Sequence, residues 1–359
     1  MIITMNKSIN QMKHTGLVFC LLLCTLLSAC KYDDLSVKKP NETFRLGGDF
    51  LKNNYDFSLF YTALQYSGLV DKLNEAGPYT IIAPNNKAFN EIGIQLPGDI
   101  YKLNRDSLKQ AMAYHIIPRK LTLASFPVNG VDVRYETLAG ISLYESIGSF
   151  FPGNAAAINQ LYFSGSLVYR KDVVLANGTL QAVDKVMKQY PGKTVQSWLA
   201  SRPNFSIYVS GLKKFGLWDE LAGAGPFTIF APDNQAFINV GMTQEIVDQL
   251  NPADYSGPRL FGAYIYYDKS YFMSDRVIFG IINAEGSYKS TPRDDDSSMN
   301  WFAGSTYGNL QLLSKITNKW YYMVTLTAND VALSDNLCNN GLVHKISGVL
   351  MKPENARKN

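Results

Sequence analysis

Cysteine is scarce in this chain: four in 359 residues, three of them (Cys20, Cys24 and Cys30) within the first 30. Only Cys338 lies further on, so no disulfide can staple the body of the chain, and stability must come from apolar cores. Histidine is scarcer still, at three, and beyond the amino-terminal segment only His115 and His344 remain. That count argues against a multi-histidine metal centre, and no HExxH, phosphate-binding loop or dinucleotide fingerprint occurs. Charge of one sign is missing too. Lys and Arg number 34 against 30 Asp and Glu, and two of the 34, Lys7 and Lys13, fall in the first 29 residues. Phosphate-backbone binding needs a concentrated basic face, so a nucleic-acid partner is excluded. No apolar run reaches the roughly 20 residues of a membrane-spanning helix. What is present is 46% hydrophobic and 18% charged residues, the make-up of packed globular protein, with a length that suits two domains of roughly 100–200 residues.

The amino terminus reads as an export signal. Lys7 and Lys13 precede the apolar run Leu17–Leu27, followed by Ser28-Ala29 and Cys30. Charge, apolar core and small residues come in the order of a secretory leader. Leu27-Ser28-Ala29-Cys30 resembles the bacterial lipobox, which implies lipidation of Cys30 and removal of residues 1–29. Two or more acyl chains would then hold the protein at a membrane. Lys31, Asp33 and Asp34 sit in a segment that resembles the acidic export signal of lipoproteins in the Bacteroidota, which implies the outer face of the outer membrane. Residues 30–43 then form anchor and linker.

The chain repeats itself. Phe57–Phe89 matches Phe205–Phe237 at an offset of 148, with 17 identities in 33 ungapped positions. Asn177–Met187 matches Asn340–Leu350 at an offset of 163, so the second copy carries 15 extra residues in its middle. A period this long means tandem domains. They are placed at 44–190 and 195–352, with a linker at 191–194 around Pro191-Gly192 and a tail at 353–359. Each copy is expected to have its own core, so that a fragment ending near Tyr190 folds alone.

Within each copy the pattern predicts helix, strand, helix and a closing strand. Phe57, Phe60, Tyr61 and Leu64, like Phe205, Tyr208, Val209 and Leu212, have helical spacing. Asp56 and Asn204 are expected as amino-terminal caps, with Gly68 and Gly216 as stops. Strands are expected at Tyr79–Ala83 and Phe227–Ala231, and Asn85 and Asp233 should cap the next helix, whose Phe89 and Phe237 point inward. Asn177-Gly178 and Asn340-Gly341 should turn into the last, alternating strand. The class is α+β.

These residues carry a resemblance. Gly77–Phe89 and Gly225–Phe237 are similar to the first signature box of fasciclin-like domains. Asn340–Ile346 is similar to the second, and Tyr114-His115-Ile116-Ile117-Pro118 to the tyrosine-histidine segment between them. The resemblance implies two tandem fasciclin-like domains, each a β-sandwich wedge with helices clustered on one edge, and adhesion or ligand binding outside the cell. It also makes Tyr114 and His115 a candidate adhesion motif, against the alternative of a hydrogen-bonded core histidine. Each copy lacks one customary histidine: the first has Gln181 in the second box, and the second is expected to have Ile265, after Tyr264, in the middle segment.

Further candidates are few. The enlarged middle of the second copy holds Trp301, Tyr307, Trp320 and Tyr322, a candidate stacking platform for a glycan or peptide, or else cross-strand packing; alternation would put Trp320, Tyr322, Val324 and Leu326 on one strand face. Cys338 reads as a buried inert thiol, with pairing to His344 as the alternative. Asp294–Asp296 reads as a solvated loop and not a cation site. The expected protein is therefore a cell-surface lipoprotein for adhesion or ligand binding, conceivable as an accessory subunit of an outer-membrane nutrient importer. The alternatives are an extracellular polysaccharide hydrolase, for which no nucleophile or acid/base set stands out, and a structural spacer. No cofactor and no metal is expected. Its partners would be the membrane through the lipid, and an extracellular protein, a glycan or importer proteins.

Overall fold

A helix begins where its first free N–H groups find acceptors. In both copies those acceptors come from the following helix. Tyr55–Phe57 and Pro203–Phe205 form a 3-10 turn, after which helices run over Ser58–Tyr66 and Ser206–Lys214. Asp56 and Asn204, expected as caps, lie inside those turns. The Leu59 and Ile207 N–H groups donate instead to the side chains of Asn86 and Asn234, both at 3.0 Å. Gly68 and Gly216 end the helical segment with φ of 75° and 72°, as a left-handed stop requires. Asn85 and Asp233 cap the helices Asn86–Glu91 and Asn234–Ile238 by accepting from Ala88 and Ala236 N–H at 2.9 and 2.8 Å. Phe89 and Phe237 on these helices are buried.

The computed structural model describes residues 44–149, 158–267, 269–282 and 333–358, together with the backbone of four strands between 287 and 326. Cys30, Lys31, Asp33, Asp34, Tyr307 and Asp294–Asp296 lie outside the described residues. No described helix is long and apolar enough to cross a membrane.

The first copy contains β1 (Tyr79–Pro84), β2 (Ile116–Ile117), β3 (Asn129–Glu136), β4 (Ser142–Gly148), β5 (Gln160–Phe163), β6 (Ser166–Leu175) and β7 (Gly178–Val183), in the spatial order β2-β1-β7-β6-β5-β4-β3. Strand β6 turns the corner. Its first two residues pair with β5, and from Val168 onward it pairs with β7 through two register shifts. The closing strand β7 is central, parallel to β1. All six residues of both β1 and β7 are buried, so the expected alternation is replaced by continuous burial.

The second copy repeats the plan with β9 (Phe227–Pro232), β10 (Ile265–Tyr267) and β16 (Gly341–Ile346), where β16 runs parallel to β9. Its remaining strands split into two groups. Four antiparallel strands, β11 (Ser287–Ser290), β12 (Ser297–Ala303), β13 (Gly308–Ser314) and β14 (Lys319–Leu326), form a separate sheet. The other pair adds β15 (Asn336–Cys338) and β8 (Gln189–Tyr190) to the sheet of β9. Tyr190, at the sequence boundary, is thus an edge residue of the second sheet: β8 pairs with Leu337 and Cys338, and the Tyr190 hydroxyl donates to Asn336.

Residues 44–359 cluster as one unit. Two of its apolar cores belong to single copies. The third does not: it joins Ile82, Leu143, Phe163 and Val183 of the first copy to Phe272, Leu337 and Leu342 of the second. The expectation of two self-sufficient cores therefore meets a shared one.

Candidate functional site

The side chains that the two boxes have in common converge on one duplicated hydrogen-bond framework. Asn177 accepts from Gly47 N–H at 3.0 Å and donates its amide to the Leu73 and Glu75 carbonyls at 2.8 and 2.6 Å. Asn340 does the same with Val195 at 2.8 Å and with Leu221 and Gly223 at 3.0 and 2.7 Å. Each asparagine therefore ties the start of the closing strand to the first helix of its copy and to the loop before β1 or β9. Gly178 and Gly341 follow because a Cβ there would meet the carbonyl oxygen of Tyr79 or Phe227 at 1.9 or 2.2 Å.

The next layer is built on a threonine. Thr80 donates to the Arg119 carbonyl at 2.6 Å and accepts from Leu121 N–H at 2.8 Å. Thr228 donates to Lys269 at 2.8 Å and accepts from Tyr271 at 2.9 Å. The carbonyls of Leu121 and Tyr271 then receive the second-box side chains, Gln181 Nε2 at 3.5 Å and His344 Nε2 at 2.8 Å. On their other side Gln181 and His344 each accept a backbone N–H at 3.0 Å, from Asp172 and Asp335. Those two aspartates share a left-handed backbone, with φ of 56° and 55°. Glutamine and histidine thus do one job: a donor and an acceptor held across a fixed gap.

The middle segment needs a correction. Ile81 pairs with Ile116, and its counterpart Ile229 pairs with Ile265. The residue that stands for His115 is therefore Tyr264, and not Ile265. Function follows position, because Met187 N–H donates to His115 Nε2 at 3.1 Å while Leu350 N–H donates to the Tyr264 hydroxyl at 2.8 Å. Met187 and Leu350 correspond in the second sequence match. With Nε2 accepting, the His115 proton sits on Nδ1 and is donated to the Ala111 carbonyl at 2.8 Å.

Burial decides what these groups can do. Tyr114, His115, Tyr264 and His344 are each 0% exposed. The Tyr114 hydroxyl contacts Ser164 Oγ at 2.7 Å, and its ring meets His115 edge-on. A partner docked on the folded surface reaches neither member of the candidate adhesion motif. The His115 ring is pushed down to about 4 by burial. Since the folded ring binds its proton less readily than the unfolded one, its contribution to stability is complete above pH 6.5 and is lost as pH falls toward 4. The part of the pH dependence carried by this ring is expected to total about 3 kcal/mol, seen as a wild-type urea midpoint that shifts toward lower values between pH 7 and pH 4.5 relative to that of His115→Gln.

Catalytic chemistry finds little purchase on the described residues. Burial pushes the Cys338 thiol up to about 12, and its Sγ lies 3.8 Å from the Asn336 carbonyl. Both ring nitrogens of His344 are engaged as described. No group of three or more His, Cys, Asp or Glu among the described residues is placed to hold a metal ion. A groove of about 340 Å³ runs where the copies meet, with Ile141, Ser142 and Tyr144 on one wall and Tyr190, Leu337 and Cys338 on the other.

Three of the candidate rings have a described backbone. Trp301 pairs with Leu310, and Trp320 with Leu313, on either side of a register shift between Gln311 and Leu313. The side chains of Trp301, Trp320 and Tyr322 lie outside the described residues.

Comparison with known proteins agrees with this duplicated frame. The chain is 30% identical over 142 residues to transforming growth factor-beta-induced protein ig-h3 of Oryctolagus cuniculus, spanning 39% of this chain and 19% of that one. It is 30% identical over 193 residues to human periostin, spanning 53% and 21%. Protein sll1483 of Synechocystis is 28% identical over 138 residues, 37% of this chain and 68% of that protein. The chain thus spans about a fifth of the animal proteins. A solved fasciclin domain pair from the insect cell adhesion molecule fasciclin I covers 84% of this chain and 99% of its own at 20% identity, with a TM-score of 0.37. The fasciclin domain model matches residues 55–189 and 203–273, more than half of the chain, and the chain belongs to the fasciclin domain family.

Proposed function

We propose that this chain is a lipid-anchored binding protein of the cell surface, held in the outer membrane through Cys30 and turned outward by the segment around Lys31, Asp33 and Asp34. It works in adhesion or ligand capture, with an extracellular protein or glycan as partner, and its setting is beside an outer-membrane nutrient importer. The observation that carries the reading is the use of the box residues. Asn177, Thr80, His115 and Gln181, like Asn340, Thr228, Tyr264 and His344, spend their polar atoms inside the scaffold. Recognition is left to surfaces that differ between copies, above all the sheet β11–β14, which lies in the span between Tyr271 and Asp335 where most of the excess falls.

Cys30→Ala is expected to release the chain from the membrane fraction and to abolish labelling by a fatty-acid analogue. Unchanged labelling would remove the anchor. Capture of partners from native outer membranes by the wild-type chain, lost with Trp301→Ala or Trp320→Ala, supports the binding role; equal capture by all three chains counts against it.

A further inference from the structure

Glu145 on β4 is 0% exposed, and no hydrogen bond reaches either of its carboxylate oxygens. An anion in that position has lost its water and gained nothing in return. The second copy presents another carboxylate to the same interface. Asp275 opens the helix Asp275–Ile282, is also 0% exposed, and accepts from the Ser146 hydroxyl at 2.6 Å and from Phe272 N–H at 2.8 Å. The helix lies directly on β4: a Cβ on Gly148 would come within 2.9 Å of the Ile281 side chain, and the Tyr144 and Phe272 rings are 5.3 Å apart.

Among the described residues, the charges around the pair are mostly of its own sign. Strand β3 contributes Tyr135 and Asp132, the latter bound to Arg134 at 2.9 Å. Strand β5 contributes Tyr162, and the turn before β15 contributes Asp335. The helix itself supplies Arg276, whose charge faces Tyr162 and Asp335. Burial, and then the charge of Asp275, push the Glu145 carboxyl up to about 8. Burial pushes Asp275 up to about 7, with Asp335 and Asp132 adding to the effect.

We propose that Glu145 and Asp275 form a proton-operated latch between the two fasciclin domains, closed while the pair retains a proton and loosened when both carboxyls have released theirs to solvent. One retained proton removes the repulsion of two enclosed anions. With none, the helix must lift from β4 far enough to admit water to both groups. Opening bares the Phe272 and Ile281 faces and widens the groove beside Tyr144. The sign is opposite to that at His115. A carboxyl raised on folding contributes stability that is complete below its unfolded value and is lost as pH rises through the folded one. For this pair the loss runs from about pH 4 to about pH 8.

The test uses the full chain and its Glu145→Gln and Asp275→Asn variants, both neutral and nearly isosteric. Thermal midpoint and radius of gyration by small-angle X-ray scattering are recorded from pH 5 to pH 9. The wild-type chain is expected to lose several degrees of midpoint as pH rises and to expand as it passes 7–8, while each variant, left with one buried carboxyl, loses clearly less midpoint and keeps its dimensions over that range. Infrared spectroscopy of the unsubstituted chain supplies a readout that needs no folded variant: a protonated carboxyl band present at pH 6 and gone at pH 9. A wild-type chain whose dimensions and midpoint do not change, variants that titrate like the wild type, or a missing carboxyl band at pH 6 would each overturn the latch.

Discussion

A fragment of residues 44–190 is expected to be about 5–9 kcal/mol less stable than the same residues in the full chain, measured by urea unfolding with a probe in the first domain. The shared core sets this figure. Phe272, Leu337 and Leu342 complete a cluster otherwise built from the first domain, and burying one such side chain is worth about 1.5–3 kcal/mol. The cut strips all three and uncovers Leu143, Phe163 and Val183, each fully or nearly fully enclosed in the whole chain. It also leaves β8 without the strand it pairs with. Since a domain's whole stability is about 5–15 kcal/mol, the fragment should sit near its folding limit. A fragment as stable as the intact chain would show the third cluster to be mere contact between finished domains.

Asn340→Ala and Asn177→Ala are each expected to cost about 3–5 kcal/mol, read as a drop in the denaturant midpoint. Each asparagine serves one N–H and two carbonyls, and Asn177 is 4% exposed. A buried polar group stripped of its partner costs about 1–3 kcal/mol, so three at once exceed any ordinary surface substitution. Asp, which keeps the acceptor and loses both donors, should recover only part of the loss. A loss below 1 kcal/mol in both domains would mean that water replaces the amide and that the clamp is not structural.

Much of this was legible in the residues. The offset of 148 carried over to the helices, to the caps Asn85 and Asp233, and to the stops Gly68 and Gly216, because these depend on neighbours within a few positions. The cap role of Asn86 and Asn234 was not legible, although both stand in the first box, since their targets at Leu59 and Ile207 lie 27 residues back. The match of Tyr264 to His115 was hidden for a related reason. Chemistry favours reading Tyr114-His115 against Tyr264-Ile265, whereas strand register moves the pair by one residue, and only the Met187 and Leu350 N–H groups show that imidazole and phenol are interchangeable there. The position of β8 depends on contacts across more than 140 residues, and the shared core likewise joins segments far apart in the chain, which no local pattern reports.

The claim that the boxes build the scaffold while recognition sits on the enlarged sheet meets its most direct test in a paired measurement on each of two sets of full-length variants. One set is His115→Ala and Tyr264→Phe; the other is Trp301→Ala, Trp320→Ala and Tyr322→Ala. Thermal midpoint and capture of outer-membrane partners are recorded for every variant. The first set should lower the midpoint and leave capture by the folded fraction unchanged. The second should weaken capture by about 1–3 kcal/mol per ring at an unchanged midpoint. Capture lost with His115→Ala in a fully folded chain, or midpoints that collapse for every ring, would contradict it.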